Sequence, residues 1–219
     1  MNEALKSKYG MRKINSHRLS ALNSHAGDTI LDVGCGSGAY VLELRGQKNI
    51  RGVDYQKFDT WDEAPELFSI ASADDLSALP DNSVDTICSF EVLEHMKDPE
   101  KVLREYHRVC RNNIIITVPN CTITKAMKHS LLIYYHWIDP THVNFFVRDK
   151  LIEITKNSGF EIDKFYNINQ VNLLPILLEN FGLDKKSPKD LRVRLLSWIY
   201  KRFSRKKYFI TMLMVAKKV

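Results

Sequence analysis

Three segments of this chain place reactive or ligand-binding residue types at spacings that could do chemistry. The first is ILDVGCGSGAY, residues 30–40, where Gly34, Gly36 and Gly38 follow an apolar run containing Asp32. Alternating glycines let the backbone turn tightly and approach a ligand closely, and a helix beginning directly afterwards offers unpaired amides to the same place. The dinucleotide pattern GxGxxG is not met, because Ala39 and Tyr40 occupy its last positions and the acid precedes the glycines. No Lys-Ser or Lys-Thr pair follows, so a phosphate-binding P-loop is excluded. The second segment is FEVLEHMKDP, residues 90–99, with Glu91, Glu94 and His95. The third is YYHWIDPTHVNFF, residues 134–146, which sets His136, Asp139, His142 and Asn144 among five aromatic rings. Histidine or a carboxylate is the natural general base near neutral pH, and the two together can also hold a hard or borderline cation. Each segment also has a plain structural use: a glycine turn, a polar helix start, and a packed loop with hydrogen-bonding histidines.

The elements that would position these residues alternate along the chain. TILDV (29–33), NIRGV (49–53), VDTICSF (84–90) and NIIITV (113–118) are short β-branched or apolar runs, each suited to a buried strand. Helical spacing begins at Tyr40–Leu44 and recurs over Asp98–Arg111, where Val102, Leu103, Tyr106 and Val109 share a face and Asp98-Pro99 supplies a cap and a first turn. Residues 54–72 carry the weakest pattern, and Pro65 limits them to a short helix or turn before a strand at LFSIA. Residues 147–158 read as a helix stopped by Gly159, and FEIDKFYNI then alternates as a strand. Two helices are expected in the apolar and basic block that follows, before YFITMLMVAKK closes as a strand antiparallel to FEIDKFYNI. Strands alternating with helices imply βαβ units, a parallel sheet, and ligand chemistry at the strands' carboxyl ends.

Composition sets outer bounds. The 219 residues are 44% hydrophobic and 26% charged, which fits one globular domain and disfavours disorder, collagen and coiled coil. Cys35, Cys88, Cys110 and Cys121 lie far apart with no CxxC pair, so a zinc ribbon, redox motif or disulfide framework is not expected and a reducing cytoplasm is. Neither an export signal nor a membrane span is expected. Charge is uneven: residues 1–184 hold 20 Lys and Arg against 25 Asp and Glu, and residues 185–219 hold 12 against Asp190 alone.

The glycine string resembles motif I, DxGxGxG, of class I S-adenosylmethionine (SAM)-dependent methyltransferases, and looks most like their type 11 and type 23 groups. RGVDY, with Asp54 22 residues after Asp32, resembles the end of the family's second strand; PDNSVDTICSFEVLEHMKDPEKVLREYHRVCR resembles its fourth strand and next helix. NIIITVPN and RDKLIEITKNSGFEI resemble its fifth strand and a later helix and strand, so the likeness runs over about residues 27–168. The resemblance implies an α/β, Rossmann-like, seven-stranded, mostly parallel sheet with an antiparallel last strand and helices on both faces. One domain is expected over 1–219, with an N-terminal helical segment at 1–26 and a helical insertion at 171–206. SAM, leaving as S-adenosylhomocysteine, is the implied cofactor. Gly34, Gly36 and Gly38 would pass beneath its methionine part, Asp32 would help hold the ammonium, Asp54 would bind both ribose hydroxyls, and Tyr55 would pack on the adenine. Ser72 stands where the family usually has Asp, so the Ala73 amide with Asp74 or Ser72 would meet the adenine amino group. Ser89 and Phe90 would face the sulfonium and acceptor.

Acceptor contacts are expected from His136, Asp139, His142 and Asn144, with His142 the first candidate base and His95 the second. The expected reaction is O-methylation of a small-molecule, glycan or lipid-linked acceptor, with no metal. Glu91, Glu94, His95 and His142 also resemble, in part, the metal constellation of small-RNA terminal 2'-O-methyltransferases, although Met96 stands where those enzymes carry another histidine; metal-assisted RNA methylation is therefore one alternative. A non-catalytic SAM-binding module acting through a partner is another. The basic run KRFSRKK (201–207) behind LLSWIY could meet a membrane surface peripherally or be a solvated helix end, and nucleic acid is not an expected partner. The apolar patches could also pack on a second subunit in a homodimer.

Overall fold

A computed structural model describes residues 13–129, 137–183, 190–203 and 207–219. The strands β1 (Thr29–Val33), β2 (Asn49–Asp54), β3 (Phe68–Ile70), β4 (Val84–Phe90), β5 (Cys110–Pro119), β6 (Phe160–Gln170) and β7 (Phe209–Lys218) form one sheet in the order β3-β2-β1-β4-β5-β7-β6. All neighbours from β3 to β5 pair in parallel, whereas β7 runs antiparallel to both β5 and β6. Six strands therefore share a direction and β7 opposes them. The order reverses beside β1, which places a crevice at the carboxyl ends of β1 and β4.

Strand periodicity divides the core between the two faces of the sheet. Leu31, Val33, Ile114, Ile116, Met212 and Met214 meet the helices α3 (Pro99–Val109) and α5 (Arg148–Asn157) on one face. Ile30, Ile115, Leu213 and Val215 meet α1 (Ser16–His25) and α2 (Ala39–Leu44) on the other. α3 carries the anticipated face, with Val102, Leu103, Tyr106 and Val109 fully buried. Its Asp98 cap accepts from the Lys101 amide at 2.9 Å, and Pro99 occupies the first turn. α4 (Lys125–His129) follows β5, and α6 (Leu174–Glu179) and α7 (Leu191–Phe203) lie between β6 and β7.

Two boundaries differ from the sequence expectation. β5 begins at Cys110, directly after α3, because Cys110 pairs with Val84 across a register shift that absorbs the polar residues before Asn113. β3 is shorter than LFSIA, and the stretch before it holds only two 3-10 turns, Asp59–Glu63 and Pro65–Leu67. Pro65 has no amide to continue the first turn, so the chain restarts there. Among the described residues no helix is long and apolar enough to cross a membrane.

Candidate active site

The glycine loop is held from three sides. Gly34 and Cys35 donate their amides to the Val53 carbonyl at 2.8 and 3.1 Å, which fastens the end of β1 to the end of β2. The Gly36 amide donates to Asp54 Oδ2 at 2.8 Å. From the 3-10 turn, Trp61 Nε1 donates to the Gly36 carbonyl at 2.8 Å and Thr60 Oγ1 to the Ser37 carbonyl at 2.7 Å. Trp61 in turn stacks on Phe68, with ring centroids 4.9 Å apart. Gly38 enters α2 at φ 73°, and a Cβ there would lie 2.4 Å from the Phe68 ring. Gly36, at φ 54°, is different: among the described residues a Cβ on it would meet nothing within 4 Å. Open space beside a left-handed glycine, bounded by loop amides and the Asp54 carboxylate, is a cradle that lets a ligand approach the loop backbone closely.

Electrostatics sharpen the same place. Asp32 is buried and accepts from the Cys88 thiol; desolvation pushes its pKa up to about 7, with Asp54 adding to the rise. A cation bound beside it would favour the ionised form. Arg18 of α1 reaches in from the other side, with its guanidinium carbon 5.2 Å from the centre of the Phe90 ring. Its Nη2 donates to Glu91 Oε1 at 2.5 Å, an oxygen that also accepts from Thr117 Oγ1 at 2.9 Å. Glu91 sits at φ 61°, a left-handed conformation in a non-glycine residue directly after β4. Sequence reasoning missed Arg18, Thr60, Trp61 and Thr117. Nothing local marks Arg18, since SHRLSALNSH has no pattern that singles it out, and Trp61 lies in the stretch with the weakest periodicity.

The other expected cofactor residues divide. Ser89 turns its hydroxyl away to Tyr106, 2.9 Å apart in the core, while the Phe90 ring lies edge-on to Tyr40 at 5.0 Å on the opposite face. Tyr55 is exposed just beyond Asp54. Ala73 is buried in the core, and Ser72 Oγ donates to Asp74 Oδ1 at 2.5 Å. That hydroxyl, then Lys101 at 3.3 Å, hold the Asp74 carboxyl below the usual carboxylate range.

The acid-histidine segments meet each other. The amides of Val143 and Asn144 donate to the Glu94 carbonyl at 2.9 and 3.0 Å, and Asn144 Nδ2 donates to the Met96 carbonyl at 2.5 Å. Asn144 thus ties the 139–146 loop to the turn after β4. His95 and His142 lie edge to face with centroids 4.8 Å apart, and Glu94 is buried beside them. His95 Nδ1 is 3.0 Å from the Thr141 carbonyl, so this nitrogen carries the proton in that contact. His142 Nε2 is 3.8 Å from Asp139 Oδ2. Asp139 accepts from the Thr141 hydroxyl and amide, which hold its carboxyl low. Ligand atoms of Glu94, His95 and His142 all lie within 4.8 Å of one another. His136 lies outside the described residues.

Known proteins place this arrangement in a family. Residues 7–164 match the family described as "Methyltransferase domain". A "Ubiquinone biosynthesis O-methyltransferase" of Chromobacterium violaceum is 34% identical over 109 residues, which cover 43% of this chain and 46% of that protein. One of the same name from Neisseria meningitidis is 31% identical over 108 residues, covering 43% of this chain and 45% of the other. The chain spans about half the length of the curated relatives it matches. A SAM-dependent methyltransferase structure from Archaeoglobus fulgidus superposes with a TM-score of 0.65 at 20% identity, covering 99% of both chains, and shares the fold. With its seven-stranded sheet, its glycine cradle and SAM as the implied cofactor, the chain belongs to the methyltransferase-domain family.

Proposed function

We propose that the protein transfers the methyl group of SAM to a hydroxyl of a small-molecule, glycan or lipid-linked acceptor, with His142 as the base. The observation that carries this reading is the His142 imidazole, largely buried beside His95 and 3.8 Å from the Asp139 carboxylate. The Thr141 hydroxyl and amide hold the Asp139 carboxyl low, so an anion stands near the imidazole that takes the hydroxyl proton. The relatives' names, which specify O-methylation, agree with a hydroxyl acceptor.

Bound SAM supplies a methyl on a positively charged sulfonium, a good leaving group, so the protein's task is to align, desolvate and deprotonate. In this reading Gly34, Gly36 and Gly38 line the methionine part, Asp32 meets its ammonium, and Asp54 takes the ribose hydroxyls. Tyr55 covers the adenine, with Ser72, the Ala73 amide and Asp74 at its edge. The Phe90 ring and Ser89 backbone face the reacting centre. Asp139, His142 and Asn144, with His136, frame the acceptor, and His95 is the reserve base. The protein then works in the cytoplasm, with a lipid-borne acceptor bringing it to a membrane surface.

A metal-assisted reading has one observation behind it, the Glu94, His95 and His142 donor cluster, whereas Glu91 is engaged by Arg18 and Thr117. One experiment separates the readings: methyl-labelled SAM is offered with separated lipid, glycan, metabolite, RNA and protein fractions, each with and without chelator. Label is expected in a lipid, glycan or metabolite fraction and should ignore the chelator. Chelator-sensitive label in RNA would overturn the proposal in favour of the metal site.

A further inference from the structure

Among the described residues α7 packs through one of its faces. Val193, Leu196 and Tyr200 pack against Leu174, Leu178 and Leu183, and the Tyr200 hydroxyl accepts from the Leu173 amide at 3.2 Å. On the far side Leu191, Leu195 and Trp198 fall on one line at helical spacing, with Ile199 and Phe203 beside them. These are large apolar groups left in water: Leu191 is 75% exposed, Trp198 59% and Phe203 61%. Helical spacing sets Arg194 and Lys201 along one edge of the stripe and Arg192 and Arg202 among its residues, and the helix contains no acid. Asp190, the sole acid after residue 184, is paired with Arg192 at 2.9 Å. Beside the stripe an open cavity of ≈ 560 Å³ between α7 and the start of α6 is bordered by Arg194, Ser197, Trp198 and Lys201.

We propose that this face of α7 docks on an anionic lipid bilayer, with Leu191, Leu195 and Trp198 entering the boundary between headgroups and acyl chains. Arg194 and Lys201 then meet lipid phosphates, with room for a headgroup in the cavity between them. The combination selects the occupant. An apolar stripe edged by cations matches an anionic bilayer on both counts, because the stripe reaches the acyl boundary while long basic side chains extend to the headgroups. A second copy would bring two strongly basic tails together, and a nucleic acid would leave Leu191 and Leu195 without a partner.

Docking also sets orientation. The α6–α7 segment leaves the sheet at Gln170, the carboxyl end of β6, and β6 shares the direction of β1 to β5. The docked edge is therefore the edge that carries the glycine loop and the His142 loop. Resting on the proposed function, this deepens its acceptor class to a hydroxyl borne by a membrane lipid.

The test needs no acceptor. The full chain is sedimented with phosphatidylcholine vesicles with and without phosphatidylglycerol, at low and high salt, and tryptophan emission is recorded. Expected are binding that requires phosphatidylglycerol and weakens with salt, and a blue shift that Trp198→Phe removes. Leu195→Glu and Lys201→Glu should each lower the bound fraction by roughly tenfold while leaving SAM affinity unchanged, which shows that the fold is intact. Failure of the wild-type chain to bind these vesicles, or equal binding by both variants, overturns the docking proposal and leaves the methyl-transfer reading standing. A dimer formed without vesicles and lost in Leu195→Glu would give the face to a second copy and overturn it as well. Label from SAM confined to water-soluble metabolites would keep the docking and overturn the lipid acceptor.

Discussion

Asp54 illustrates how one side chain can hold the backbone and face a ligand together. Its Oδ2 accepts the Gly36 amide at 2.8 Å, so the carboxylate shapes the cradle that it is also proposed to fill with ribose. Asp54→Ala should weaken SAM binding by about 1 to 3 kcal/mol, measured by calorimetry, since a charged acceptor is lost. An unchanged dissociation constant would remove Asp54 from the cofactor site. His142→Ala should behave oppositely: SAM affinity is retained while turnover falls by roughly a hundredfold or more, the scale of a general base. Loss of SAM affinity in that variant would show a folding role, because His142 packs on His95 and belongs to the loop anchored by Asn144. The candidate histidines were legible in sequence as residue types, yet their partners were not. Asn144, expected at the acceptor from its residue type, also has an amide nitrogen that donates to the Leu93 and Met96 carbonyls, a tie its own segment does not display.

The glycine loop is an element whose tolerance to side chains varies residue by residue. Gly38 combines φ 73° with a Phe68 ring where its Cβ would stand, and Phe68 is itself held by the stack on Trp61. Gly38→Ala should lower folding stability by more than the roughly 1 to 2 kcal/mol of left-handed strain, because the ring must also move. Gly36→Ala has the strain without the clash and should chiefly reduce SAM binding. Thermal melting with and without SAM would distinguish the two; equal losses of stability would contradict the open cradle at Gly36. The loop itself was visible in the sequence because turn chemistry is local. Its clamp was not, since Trp61 and Thr60 come from a stretch whose short 3-10 turns leave no helical or strand period to detect.

For the molecule as a whole, the burial of Asp32 links folding to pH and, in the proposed cofactor role of this residue, SAM binding as well. Buried in the fold, it keeps its proton up to about 7, whereas the ordinary value is 3.8. Below about pH 4 it is protonated in both states; as pH rises towards 7 only the unfolded chain gains by ionising. The cofactor-free protein should therefore lose stability across that window, and Asp32→Asn should flatten the loss. SAM, with its cationic groups, should bind more tightly as pH rises through the same window because it favours the ionised carboxylate. Denaturant melts from pH 4 to 8 with and without SAM check both effects, and a wild-type profile as flat as that of Asp32→Asn would refute the coupling.

By itself the sequence determined the strand and helix alternation, the glycine turn after β1, Asp54 at the end of β2, the α3 face and the capping by Asp98. These depend on periodicity and turn chemistry among near neighbours, which a chain cannot express without displaying them. Only the tertiary structure decided that Arg18 meets Glu91 across 73 residues, that Glu94 lies against the loop of His142, and that the Leu191–Trp198 stripe faces outward. Such contacts follow from the order in which strands are laid into the sheet, and a helix with apolar residues all round gives no sign in its own pattern of which side the body will cover.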